Sequence, residues 1–178
     1  MQSLLRTLQS FDGKHAEPLE QVAAGTPASK ANIQKLLALG EHDNPLVRAG
    51  ATWVLKRWHD RGVDFTADTV SGMALLLAQE TEWGSQLHLL QMLSAVEIPK
   101  ASGRGLKAAT ARLAIGENKF VRAWAVSALA NLADQHPTHR KTSLAALTMA
   151  EADSAASVKA RVRKVRKQFA WANERGKR

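Results

Sequence analysis

Cysteine is absent from this 178-residue chain, which excludes disulfides, thiolate metal sites and cysteine nucleophiles. Tyrosine is absent as well, and four phenylalanines and five tryptophans are the whole aromatic complement. With only five prolines, few points along the chain force a helix to stop. No stretch reaches the roughly 18 apolar residues that mark a bilayer span. The opening MQSLLRTLQSFDGKH has neither a long apolar run nor a small-residue cleavage site, so it does not read as a signal peptide. A soluble cytoplasmic protein is the expectation. No glycine-rich phosphate loop occurs; Gly103-Arg104-Gly105 only opens a helix. His136 and His139 have HxxH spacing, but Pro137 interrupts the turn between them and no further ligand is near. His59-Asp60 belongs to no recognisable triad. These absences lead to the expectation of a protein that is not an enzyme and holds no metal or cofactor.

What is present is alanine, leucine and positive charge. The first two favour helix. Net charge is +9 and unevenly spread. Ala156 to Arg178 carries nine basic residues and one acid, Glu174, whereas the other 155 residues carry 16 basic and 15 acidic side chains. A nearly neutral body thus ends in a basic block.

One stretch recurs. Asn44 to Trp58 reads NPLVRAGATWVLKRW, Asn118 opens NKFVRAWAVSALANL, and Ser157 opens SVKARVRKVRKQF. Val47-Arg48, Val121-Arg122 and Val158-Lys159 lie 74 and 37 residues apart, the first interval twice the second. A fixed period of this size marks a stack of supersecondary units. A 37-residue frame from Ser29 gives four units, 29–65, 66–102, 103–139 and 140–176, each with room for two helices. Residues 1–28 read as a helical cap, with Leu4, Leu5 and Leu8 on one helix and Ala16 to Ala24 on another. The first helices align Leu39, Leu76, Leu113 and Ala150, and also Ile33, Val70 and Leu144, with Leu106 replacing Lys107 as the buried residue. The second helices carry stripes at i, i+4, i+7 and i+11: Val47, Ala51, Val54, Trp58; Val121, Ala125, Ala128, Leu132; and Val158, Val162, Val165, Phe169. In the irregular second unit, a one-residue deletion would put Trp83, Leu87 and Leu90 on the stripe. All these elements are helical, so the fold class expected is all-α.

An acidic residue, a turn, Val-Arg, then Ala and Leu at helical spacing recur as Asp43, Val47-Arg48, Ala51, Leu55 and as Glu117, Val121-Arg122, Ala125, Leu129, with Asp153 and Val158-Lys159 as a third, partial copy. This pattern resembles the HEAT repeat over most of the chain from Ser29 onward. The resemblance implies a right-handed α-solenoid of about four helix pairs whose concave surface is built from the second helices. It also implies a ladder of acidic and arginine side chains between neighbouring repeats, here expected to join Arg48 and Arg122 with Asp43 and Glu117. Members of the family bind proteins, nucleic acids and, less often, small molecules.

The function expected is therefore a scaffold that presents a concave helical-repeat surface to a partner, a protein first and DNA or RNA second. Arg48, Arg122, Trp53 and Trp124 are the candidates on that surface. Trp58 and Trp83 are expected in the core. Lys159, Arg163, Lys164, Arg166 and Lys167 surround the apolar stripe of the last helix. Six cations without an acid from Lys159 to Lys167 make a concentrated field that suits nucleic-acid phosphate, an acidic protein or an anionic membrane surface. Continued at 100° per residue, that helix puts Trp171 far from the stripe, between Lys164 and Lys167. There it either stacks on a base or holds a cation, or it packs at a helix end. A more remote expectation comes from compact HEAT-like DNA glycosylases that remove alkylated bases. The chain has tryptophans for such a groove, but Trp83 is followed by Gly84-Ser85-Gln86, without an acid.

Overall fold

The computed structural model describes residues 4–174. Arg175, Lys177 and Arg178 of the basic block lie outside the described residues, as do the first residues of the expected N-terminal helix. Among the described residues there are ten α-helices, three 3-10 turns and no strand, so the chain is all-α. The helices are α1 Leu4–Gln9, α2 Glu17–Gly25, α3 Lys30–Leu39, α4 Pro45–Asp60, α5 Ala67–Gln79, α6 Trp83–Leu93, α7 Gly103–Leu113, α8 Lys119–Gln135, α9 Arg140–Glu151 and α10 Ala156–Gln168.

Each 37-residue frame holds two of these helices, and their starts follow from local chemistry. Ser29 and Thr66 stand in extended backbone and cap α3 and α5, accepting from the N–H groups of Asn32 and Thr69. Asn44 caps α4 from Leu46 N–H at 2.9 Å, with Pro45 just inside, and Asn118 caps α8 from Phe120 and Val121. Three residues after each of these asparagines stands a buried valine, Val47 or Val121, and Val158 is its buried counterpart on α10.

The second frame departs from expectation. Trp83 is 53% exposed rather than in the core, and Leu87 is only half-buried. Glu82 is the reason. Its carboxylate accepts from the N–H groups of Gly84 at 2.8 Å and Ser85 at 2.6 Å, filling the place that Asn44 and Asn118 fill elsewhere. Counted from that cap, the stripe is Ser85, Leu89 and Met92, all buried. The turn before α6 thus has one residue more than the frame, not one fewer.

The chain forms two compact units, Met1–Leu89 and Leu90–Arg178. In the first, α1, α2 and α3 all pack on α4. Gly50 permits this: a Cβ there would come within 3.0 Å of Leu8 and 3.2 Å of Leu19, both fully buried. Trp58 is buried and donates its indole N–H to the Ala23 carbonyl at 3.0 Å. In the second unit, α8 packs against α7, α9 and α10. Its alanines Ala123, Ala130 and Ala133 share a core with Leu147, Val158, Val162 and Val165. Small residues on α8 let bulkier ones from its neighbours close in without voids. Leu106, not Lys107, is fully buried on α7.

Two changes test this packing in thermal or denaturant melts. Trp58→Ala removes a buried ring and a hydrogen bond and is expected to cost about 3–5 kcal/mol. Ser85 stands where α4 and α8 have valine, and its buried hydroxyl lacks a partner among the described residues. Ser85→Ala is therefore expected to be neutral or to stabilise by about 1 kcal/mol; a large loss would mean that the hydroxyl is satisfied.

Candidate functional site

The fourth residue after each second-helix cap, counted from Asn44, Glu82 and Asn118, is Arg48, Gln86 and Arg122. Each reaches back to its own turn. Arg48 donates Nη1 to the carbonyls of His42 and Asp43, Gln86 donates to the carbonyl of Glu80 at 2.7 Å, and Arg122 donates Nη1 to the carbonyls of Gly116 and Glu117. The two arginines then reach forward to a carboxylate in the next frame. Arg48 Nε lies 3.1 Å from Glu80. Arg122 donates Nε and Nη2 to the two oxygens of Asp153 at 2.7 and 3.0 Å. The expected acids, Asp43 and Glu117, thus contribute only their carbonyls. The ion pairs run instead to Glu80 and Asp153, because Nη1 is already held by the turn and the remaining guanidinium edge faces onward.

These pairs are half-closed from water. Side-chain exposure is 16% for Arg122 and 12% for Asp153. The bond to Arg122 holds the Asp153 carboxyl below the usual aspartate range, and Asp153 in turn raises the guanidinium pKa. The Arg48–Glu80 pair lines an open recess of about 390 Å³ with Gly40, Leu76 and Gln79. A smaller recess of about 260 Å³ lies at Arg122 and Asp153, beside Ile115 and Met149.

The aromatic candidates divide. Trp53 is half-buried on α4. Trp124 on α8 is covered by Arg161 of α10, whose guanidinium carbon lies 3.5 Å from the ring centroid. Trp171 does not continue α10. That helix ends at Gln168, Phe169 is extended, and Ala170–Asn173 form a 3-10 turn. The turn brings Trp171 back to 6% exposure. Its indole N–H donates to Asp134 at 3.1 Å, its ring stacks on Phe169, and the Arg140 guanidinium lies 5.4 Å from its centroid. The expected exposed tryptophan between two lysines is therefore a packed one, unable to stack on a base.

The cations of α10 divide too. Arg166 is paired with Glu151 at 2.7 Å and donates to the Ala172 carbonyl, so it leaves the outward set. Lys159, Arg163, Lys164 and Lys167 are exposed and make no ion pair among the described residues. With Val158 at zero they span an arc of about 140° at 100° per residue, opposite buried Val158, Val162 and Val165. Lys159 holds the place of Arg48 and Arg122, yet it has no carboxylate of its own. Arg161, in the sequence only one of the cations of the basic block, stands 37 residues after Trp124. The period itself was the signal. The charge divides by unit: Leu90–Arg178 contains 17 basic and six acidic residues, Met1–Leu89 eight and ten.

His136 donates Nε2–H to the Ile98 carbonyl at 2.7 Å, which takes that nitrogen out of metal binding. Among the described residues no group of three or more His, Asp or Glu could hold a metal ion, and no helix is long and apolar enough to cross a membrane. No protein-family model matches this sequence, and no curated protein matches it.

The Arg122–Asp153 pair yields a pH test. The folded carboxyl titrates lower than the unfolded one, so the pair's contribution is complete above the unfolded aspartate pKa of about 3.9 and fades as pH falls below it. Asp153→Asn keeps an oxygen for Ala155 N–H, now 2.8 Å from Asp153, but removes the charge. It is expected to cost about 1–3 kcal/mol near neutral pH. Denaturant melts from pH 7 to pH 2 should show that difference shrinking below pH about 4; a difference that grew towards acid would contradict the assignment.

Proposed function

We propose that this chain is a non-enzymatic binding module, a HEAT-like α-solenoid that presents its second-helix surface to a macromolecule and engages a polyanionic partner through the outer face of α10. The single observation that carries this reading is a contrast of charge. The arginines of α4 and α8 at the recurrent position are neutralised by Glu80 and Asp153, whereas Lys159, Arg163, Lys164 and Lys167 share one exposed face and make no ion pair among the described residues. Like charges so close together repel one another and raise the local counter-ion concentration. A partner bearing a row of anions relieves that repulsion and releases the counter-ions. The recurring caps, stripes and turn-held side chains support the repeat reading, since each pair repeats the same local solution.

Retention on a heparin column is a direct test. The variant Arg163→Gln/Lys164→Gln/Lys167→Gln removes three charges from the face. A control variant, Lys100→Gln/Arg104→Gln/Lys141→Gln, removes three exposed charges elsewhere in the same unit. Both should melt like the wild type, because neither touches the core. The α10 variant should elute at clearly lower salt than the control. Equal elution of the two would mean that only net charge matters, and the reading would fail.

A further inference from the structure

The geometry points to Trp124 and Arg161 as a built phosphate site, and to the sugar–phosphate backbone of a nucleic-acid duplex as the partner of the α8–α10 face. This inference rests on the binding-module reading and names its partner.

The site starts from the stack. The Arg161 guanidinium carbon lies over the indole of Trp124, 3.5 Å from its centroid, a separation too short for anything but a face-on stack, which occupies one face of each group. The in-plane edge of the guanidinium, with its five N–H donors, stays available, and among the described residues no protein group accepts from it. Elsewhere the fold treats half-buried arginines differently. Arg48 and Arg122 have both their turn carbonyls and a carboxylate. Arg161 has an aromatic floor instead of an acid. Burial also pushes its pKa down, so the cation is partly stripped of water and gains from an external anion. A guanidinium held in one plane takes a tetrahedral phosphate oxygen pair in fork geometry without first losing rotamer freedom.

Neighbouring positions extend the site. Lys164 is one turn along from Arg161 on the same side of α10. Lys159, Arg163 and Lys167, at i, i+4 and i+8, form a column with steps of about 6 Å along the axis. Such a row suits a regular polyanion.

The choice of nucleic acid over an acidic protein rests on what the face lacks. Protein interfaces have a charge-depleted core with aromatic or aliphatic anchors. Between Lys159 and Lys164 the outward arc of α10 offers only Ala156 and Ala160 beside its cations. The unit's 17 basic against six acidic residues match the strongly positive, polar character of nucleic-acid interfaces. The two tryptophans of this region have no free ring for a base, since Trp171 is buried and Trp124 is covered. Binding is therefore backbone-directed, with little sequence preference and no advantage for single strands.

Fluorescence anisotropy with a labelled 20-base-pair duplex, the matching single strand and polyglutamate of equal charge tests this. The wild type should bind the duplex with a slope of log K against log salt of roughly −3 to −4, and polyglutamate more weakly. Arg161→Gln should weaken duplex binding about tenfold and flatten the slope by about 0.9. Arg161→Lys should restore the slope but not the full affinity, because a point charge lacks the fork. Trp124→Phe should retain more affinity than Trp124→Leu, and thermal melts check that both variants fold. If Arg161→Gln binds like the wild type while the α10 triple variant does not, the Trp124–Arg161 site is wrong and the binding-module reading stands. Polyglutamate binding as tightly as the duplex would make the partner an acidic protein and overturn the nucleic-acid assignment. If neither polymer binds at low salt, both readings fall.

Discussion

The structure depends on how it disposes of a cation beside a turn. A second helix begins with N–H groups capped by Asn44, Glu82 or Asn118, and the turn before it leaves carbonyls that no helix uses. One turn into the helix, Arg48, Gln86 or Arg122 reaches back to those carbonyls. A guanidinium has donors to spare after this, and a half-buried one left unpaired costs a few kcal/mol. Glu80 and Asp153 meet that demand from the following frame. One side chain thereby fixes the turn, the start of its helix and the approach of the next pair. Recurrent caps and valine stripes can stay in register because this contact recurs with them.

At α10 the same position carries Lys159, and no carboxylate pairs with it among the described residues. The solution used internally therefore turns outward there. Lys159 joins Arg163, Lys164 and Lys167 on the exposed face, while Arg166 is drawn away by Glu151. At the edge of that face, one turn before Lys164, Arg161 finds the indole of Trp124 in place of an acid. A fold that pairs its half-buried arginines within the frames and lines up four exposed cations on one helix concentrates its field where a polyanion can use it.

Much of this was legible in the sequence because it is local. The Asn44-Pro45 and Glu117-Asn118 starts and the i, i+4, i+7 spacing are short-range signals; α4 and α8 follow them, and the buried valines of α10 follow the spacing. What was illegible is long-range. Asp43 and Glu80 both carry a carboxylate beside a turn, and only packing decides that Arg48 pairs with the later one. The second frame misled because Glu82, an unusual capping residue, starts α6 and moves the stripe from Trp83 to Ser85. Trp171 misled because no Gly or Pro marks the end of α10 before it. The helix stops at Gln168 so that the ring can reach Asp134, Phe169 and Arg140, contacts that helical periodicity does not encode. Arg161 needed the period applied to Trp124 as well as to the valines.

The most direct measurement is an NMR titration of the full chain with a short DNA duplex, following arginine Nε–H and tryptophan indole N–H signals. The account predicts that Arg161, Arg163 and the Trp124 indole shift with increasing duplex, that the shifts reverse with added salt, and that Arg122 and the buried indoles of Trp58 and Trp171 stay in place. Shifts confined to Arg48, Trp53 or other groups of the first unit, with α10 unmoved, would contradict it.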